Sequence, residues 1–147
     1  MVITLKESTR VLMDEKAIRT NVFINEQGFQ NEFDDIDATS FHMILYVDGV
    51  AACCCRYFAS DSRVYILGRL ATLPLYRGQG LARRIVQAVE ERVVQAGGIT
   101  LLLHAQVQAR PFYESIGYAP QGAIDFDEGV PHVWMKKDVS KDVSLDM

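Results

Sequence analysis

Leu67-Gly-Arg-Leu-Ala-Thr-Leu-Pro-Leu-Tyr-Arg-Gly-Gln-Gly-Leu-Ala-Arg-Arg84 reads as the end of a strand, a tight polar turn and the beginning of a helix. Residues 64–73 are apolar and β-prone, Pro74 ends the run, Arg77-Gly-Gln-Gly80 makes a glycine-rich turn, and from Leu81 onward the apolar residues take helical spacing. A helix start carries backbone N–H groups with no internal partner and a partial positive charge. Glycines let an anion reach that backbone without a Cβ in the way. Arg77 and Arg83 add full charges. The stretch therefore reads as a seat for a phosphate or pyrophosphate.

Spacing separates the phosphate loops that look alike. A P-loop needs four residues between its glycines followed by Lys-Ser/Thr, and neither is present. A dinucleotide fingerprint needs Gly or Ala at position 83, where this chain has Arg83, and an acid near the end of the next strand, where residues 98–103 hold none. An ordinary glycine-rich turn before a surface helix stays open at this point.

The chain of 147 residues is 49% hydrophobic and 23% charged, a composition that fits one globular domain and excludes disorder. That domain is expected over residues 1–138, with 139–147 as a frayed tail. A net charge of −4 and the lack of a basic stripe argue against a nucleic-acid partner. The first residues have neither a basic leader nor a long apolar core, and no apolar run approaches spanning length. No membrane partner is expected, and the location expected is cytoplasmic. The cysteines are consecutive, Cys53-Cys-Cys55, so neighbours point to opposite faces of a strand, and no second Cys/His group stands at ligand spacing. They read as buried thiols of a core strand, with no metal site.

In order, residues 2–6 alternate as a first strand, and Ser8 or Thr9 is expected to cap a helix over 11–24 that ends at Asn25-Glu-Gln-Gly28. Residues 26–40 read as a polar loop with at most one helical turn. Strands follow at 41–47 and 50–58 around the hairpin signal Asp48-Gly49, then at 64–72. A helix over 79–95 stops at Gly97-Gly98, residues 99–104 make a strand buried on both faces, and a short helix covers 106–116. Strands at 118–124 and 132–137 flank a loop over 125–131. The order predicts an α/β domain on a mixed sheet, antiparallel hairpins first and then a parallel step from 64–72 to 99–104, with ligand where those strand ends part.

Two motifs carry a family resemblance. Arg77-Gly78-Gln79-Gly80-Leu81-Ala82 resembles the R/Q-x-x-G-x-G/A signature of the GCN5-related N-acetyltransferases, with Ala82 where Gly is commoner. Gln106-Val-Gln-Ala-Arg-Pro-Phe112-Tyr113-Glu-Ser-Ile-Gly117-Tyr118 resembles that family's N-x-x-A-x-x-F/L-Y-E-x-x-G-F/Y pattern, with Gln106 for Asn. Arg19-x-x-Val-Phe23-x-x-Glu26-Gln27, the acidic loop, His42, Leu103-His-Ala-Gln106 and His132-Val-Trp-Met135 are similar to the ElaA-like branch.

The resemblance implies a mostly antiparallel central sheet with a parallel splayed pair and flanking helices. It also implies an acetyl-CoA-dependent N-acetyltransferase acting by direct transfer to a primary amine of a small molecule or peptide. The backbone of Leu70, Ala71 and Thr72 would dock the cofactor and polarise its carbonyl. Gly78 to Ala82 would offer N–H groups to the pyrophosphate, with Arg77 adding charge and Gln106 and Phe112 completing the cofactor site. Tyr113, with an ordinary phenol pKa of ~10 against ~8.5 for a thiol, would be the acid for the leaving thiolate. Glu26 is the preferred base, with His42, His104, His132 or a water chain as alternatives. Glu32, Asp34, Asp35 and Asp37 read either as a lure for a cationic acceptor or as a solvated loop. A non-catalytic CoA-binding sensor would need the seat but neither Tyr113 nor a base. The oligomeric state stays open, a homodimer among the alternatives, since an exposed final strand at 132–137 could pair with another subunit.

Overall fold

Seven strands hydrogen-bond into one sheet in the order 3–8, 41–47, 50–59, 64–72, 100–106, 130–138 and 119–127. The structure is a computed structural model describing residues 1–140. The strands are β1 (Ile3–Ser8), β2 (Phe41–Val47), β3 (Val50–Ala59), β4 (Val64–Thr72), β5 (Thr100–Gln106), β6 (Ala119–Asp127) and β7 (Val130–Asp138), and the helices are α1 (Met13–Arg19), α2 (Leu81–Gln95) and α3 (Arg110–Ser115). The pairs β1–β2, β2–β3, β5–β7 and β6–β7 are antiparallel, and β4–β5 is parallel. The expected mixed sheet with its single parallel step is the sheet observed.

The chain falls into two compact units. The first holds Met1–Phe58 and Gly68–Ala88. Its interior is Ile18 and Val22 from the first helical segment, Leu45 from β2, Cys53–Cys55 from β3, and Leu81 and Ile85 from α2. The three cysteines are fully buried and free. Burial pushes their thiols up, that of Cys53 to about 11, so they are inert packing groups. Asp48-Gly49 makes the β2–β3 turn with both residues at positive φ, as its sequence predicts.

The expected helix over 11–24 is corrected in detail. Ser8 is the last residue of β1, and Leu12 stands at the helix N-cap with no side-chain cap. After Arg19 the helix widens into a π-helical segment, Thr20–Glu26, closed by Gln27 N–H to the Val22 carbonyl at 3.1 Å. Such widened turns re-aim side chains and occur often at functional sites.

The second unit holds Ala59–Leu67 and the described residues from Val89 onward, with Leu67, Val93, Leu101, Leu103, Val133 and Met135 in its core. The tail strands are longer than expected. Residues 125–131 do not form a loop, because Glu128 (φ 49°) and Gly129 (φ 79°) close a two-residue hairpin and the strands run up to it. Strand 132–137 is not an exposed edge either. β7 lies between β5 and β6, and the edge strand is β6. Gln106 ends β5, and the helix expected from it begins only at Arg110 after a 3-10 turn over Val107–Ala109. Val139, first residue of the expected tail, is buried and donates its N–H to the Ile99 carbonyl at 2.9 Å, while 141–147 lie outside the described residues. Among the described residues, no helix is long and apolar enough to cross a membrane.

Candidate functional site

In the first unit, the turn after β4 has the properties an anion seat needs. Gly78 and Gly80 both sit at φ 77°, and a Cβ built on either would meet nothing within 4 Å. Among the described residues, none of the backbone N–H groups of 78–83 donates to a backbone carbonyl; the helix ladder begins with Arg84 N–H to the Gly80 carbonyl at 3.2 Å. A run of N–H groups with no backbone partner at the start of the 15-residue helix α2 is a polar cradle. Arg83 and Arg84 are exposed beside it. Leu81 turns inward to the core while Ala82 is half-buried, so this part of the turn offers backbone and no bulky side chain.

Arg77 is already engaged. Its Nε donates to the Thr72 carbonyl at 3.0 Å, and its two terminal nitrogens donate to the Glu26 carboxylate at 2.8 and 2.6 Å. The π-helical segment ends at Glu26 and delivers that carboxylate. The hydrogen bonds from Arg77 hold the Glu26 carboxyl below the usual carboxylate range, and Glu26 in turn holds the guanidinium in its charged form. This arrangement counts against Glu26 as the base: a carboxylate held by two charge-assisted bonds is a weaker proton acceptor than a free one. Of the strand end expected to dock the cofactor, Ala71 is buried, Leu70 and Thr72 are half-buried, and the Thr72 hydroxyl donates to Cys53 Sγ at 3.4 Å. Arg69 just before them has φ 53°, an irregularity within β4.

The acidic loop divides: Asp35 is exposed, whereas Glu32, Asp34 and Asp37 are held by arginines. Arg19, fully buried, donates to Glu15 (2.7 Å), Glu32 (2.8 Å to the carboxylate, 2.9 Å to the carbonyl) and Asp37 (2.8 and 3.2 Å). Five N–H groups meet five acceptors, which is the full capacity of a guanidinium. Arg56 pairs with Asp34 (2.6 Å) and Asp37 (2.9 Å), and Arg69 with Glu32 (3.1 Å) and Asp34 (3.2 Å). Burial pushes the Asp37 carboxyl up, but hydrogen bonds from Arg19 and Arg56 outweigh it and bring it down to about 2. Glu32 goes the other way, its burial outweighing its arginines.

His42, a base candidate, belongs to this network. Its Nδ1 lies 2.9 Å from the Glu15 carboxylate and its Nε2 donates to the Asp37 carbonyl at 2.9 Å, so both ring nitrogens face acceptors. Burial disfavours its charged form, yet these bonds raise its pKa, and a fully buried imidazolium is unavailable as a base. Glu15, Asp37 and His42 each bring a ligand atom within 4.8 Å of the others. The Arg19 guanidinium already bonds both carboxylates, so the positive charge of this cluster is the protein's own.

In the second unit, Tyr113 in α3 is 8% exposed, beside half-buried Phe112 and edge-on to Tyr118. Tyr118 donates its hydroxyl to Glu90 at 2.7 Å, and Lys137 bonds the same carboxylate at 3.1 Å. Gln106 accepts from the Gln108 side-chain amide. The two remaining histidines stack on one sheet face, His104 with His132 at 4.6 Å and with Trp134 at 4.7 Å, and His104 Nε2 lies 2.6 Å from Asp125. Sequence reading missed Asp125, because residues 125–131 look like a loop. It also missed Arg56 and Arg69 as partners of the acidic loop. Alternation at 104 and 106 and at 132 and 134 was the available signal for the shared face.

A family model described as an acetyltransferase (GNAT) domain matches residues 9–139. The uncharacterized N-acetyltransferase YjcF of Bacillus subtilis is 32% identical over 130 residues, covering 86% of this chain and 92% of that protein. Among solved structures, a Lactobacillus plantarum protein assigned as an N-acetyltransferase superposes with a TM-score of 0.87 at 28% identity, covering 95% of this chain and 99% of the other. Escherichia coli ElaA superposes with a TM-score of 0.81 at 20% identity over 93% and 100% of the two chains, a likeness of fold. GNAT proteins use acetyl-CoA as the acyl donor, and the glycine cradle has the donor set that its pyrophosphate needs. With the family model spanning nearly the whole chain, and with relatives of matching length, the protein belongs to the GNAT acetyltransferase family.

Proposed function

We propose that the protein is an acetyl-CoA-dependent N-acetyltransferase that transfers the acetyl group directly to a primary amine of a small molecule or peptide. Its domain runs from residue 1 through Val139, which is buried and bonded to Ile99, and its compartment is the cytoplasm, where a reducing environment suits the three buried thiols. The observation that carries the reading is the run of N–H groups with no backbone partner over 78–83, the seat of the pyrophosphate. Gly78, Gln79, Gly80, Leu81 and Ala82 supply backbone donors there, while Leu70, Ala71 and Thr72 supply backbone, and Gln106 and Phe112 side chains, to the rest of the cofactor. Arg77 contributes charge only in competition with Glu26, its partner in the structure.

The chemistry is a direct displacement, since the three thiols are buried in β3 with raised pKa values and none is poised to carry an acyl group. The acceptor ammonium loses one proton, and its nitrogen lone pair forms the bond to the thioester carbonyl carbon. Collapse of the adduct breaks the C–S bond. Tyr113 gives its phenolic proton to the departing thiolate and recovers one from the nitrogen of the nascent amide, so that one proton is released per turnover.

A calorimetric titration with acetyl-CoA, with NADH as control, followed by a panel of primary amines that includes polyamines, tests the reading. Acetyl-CoA binding with heat of turnover on one amine is the expected result. Binding without turnover on any amine would make the protein a CoA-binding module, and no binding would overturn the seat itself.

A further inference from the structure

His104, Asp125, His132 and Trp134 form a built arrangement that the roles above leave unused. β5 alternates between buried Leu101, Leu103 and Ala105 and half-exposed Leu102, His104 and Gln106. In the antiparallel β5–β7 ladder, His104 stands opposite Trp134 and Gln106 opposite His132, so the aromatic groups share one face. Asp125 stands opposite His132 on β6 and reaches across β7 to His104 Nε2. It occupies that register because β6 is irregular between Gln121 and Asp125. Four steps of β6 there span two of β7, with Gly122 at φ 77°, and a regular strand would put Ala123 opposite His132. Bulges that re-aim a side chain cluster beside active sites.

Along β5, His104 stands one residue beyond Leu103, the last residue of β5 paired with β4. The Asp125 carboxylate can only accept, so it fixes the neutral imidazole as the Nε2–H tautomer and leaves Nδ1 with its lone pair. Among the described residues, Nδ1 of His104 bonds to no neighbour. The ring plane is held by stacking between His132 and Trp134, and His132 is itself fixed by its Nδ1 donating to the Val130 carbonyl at 2.8 Å.

We propose that His104 is the general base of acetyl transfer, taking the proton of the acceptor ammonium at Nδ1, and that Asp125 is its positioning residue. The proposal rests on the acetyltransferase reading above. One N–H bond of the acceptor breaks, Nδ1–H forms, and the imidazolium passes this proton to solvent, which accounts for the one proton released per turnover. The titratable groups facing the ring are Asp125 from β6 and His132 from β7. The aromatic face also defines the acceptor: an amine whose apolar or aromatic body can lie against Trp134, which is 37% exposed.

The test compares wild type, His104→Gln and Asp125→Asn on an amine that the wild type turns over, measuring kcat against pH and the acetyl-CoA Kd by calorimetry. His104→Gln should lower kcat by about a hundredfold or more, abolish the acidic limb of the pH profile and leave the acetyl-CoA Kd unchanged, which also shows that the variant is folded. Asp125→Asn, at an exposed position, should give a smaller loss in kcat with the KM for the amine little changed. Wild-type kcat and an intact acidic limb in His104→Gln would overturn the proposal while leaving the acetyltransferase reading standing. Acetyl-CoA binding by the wild type without turnover of any amine would overturn both.

Discussion

The Glu26 carboxylate and the Arg77 guanidinium face each other through two hydrogen bonds of 2.6 and 2.8 Å, joining the end of the π-helical segment to the first residue of the glycine turn. The pair couples the two functions that sequence reading gave these residues. An arginine bonded twice to a carboxylate has less charge to lend a pyrophosphate, and a carboxylate bonded twice to an arginine is a poor base. Glu26→Gln should therefore tighten acetyl-CoA binding, by up to about fivefold given the modest worth of exposed pairs, with kcat little changed. Calorimetric Kd and steady-state kcat check this together. A large fall in kcat with unchanged Kd would return Glu26 to the role of base.

Gly80 separates charge from backbone strain at the seat. It sits at φ 77° with open space where a Cβ would be, so a side chain fits sterically at the cost of a left-handed backbone. Gly80→Ala should weaken acetyl-CoA binding only modestly. Gly80→Asp, which sets a carboxylate against the pyrophosphate, should weaken it by at least about fivefold more than alanine does, and added salt should narrow the gap. Equal Kd values for the two variants would remove the pyrophosphate from this turn.

Tyr113 calls for a different signature. The side chain is 8% exposed and packs against its aromatic neighbours, contacts that phenylalanine keeps. Tyr113→Phe should lower kcat by about a hundredfold with the acetyl-CoA Kd nearly intact, because proton donation to the thiolate is lost while the ring contacts remain. Wild-type kcat in this variant would assign Tyr113 to packing alone.

How much of this was legible in the sequence depends on what each signal measures. Asp48-Gly49 and the turn Arg77–Ala82 announce themselves through local backbone demands, and the structure has each where the sequence puts it; the run Leu101–Leu103 marks strand β5, but it is not buried on both faces, since Leu102 is half-exposed between buried Leu101 and Leu103. The segment 26–40 does not announce itself, because hydrophobic periodicity reports burial only of apolar groups. Glu32 and Asp37 are 3% and 7% exposed, yet they are polar, and what buries them is Arg19, Arg56 and Arg69, supplied by α1, β3 and β4. Asp125 was hidden for a related reason: the irregularity around Gly122 decides its register, and a two-residue insertion keeps the alternation while moving every later cross-strand partner by two, which alternation cannot report.

The buried network around Arg19 fixes how stability responds to pH. Hydrogen bonds from Arg19 and Arg56 overcome burial to take the Asp37 carboxyl from its ordinary 3.8 to about 2. Its folded pKa lies below its unfolded value, so it contributes stability above about pH 4 that is lost as pH falls toward 2, about 2 kcal/mol in all. Glu32, raised by burial, softens this acid limb. His42 has the opposite sign. Its folded pKa is raised, so its contribution is complete below its unfolded value of about 6.5 and is lost as pH rises through the folded one. Urea unfolding at a series of pH values should therefore show greatest stability in the weakly acidic range. In Asp37→Asn the midpoint should drop at neutral pH and the acid limb flatten, since Arg19 and Arg56 each lose a charged partner. In His42→Gln the alkaline limb should flatten while the acid limb persists. An unchanged profile in both variants would mean that the network is electrostatically silent and that its carboxylates and cations hold each other at no net gain.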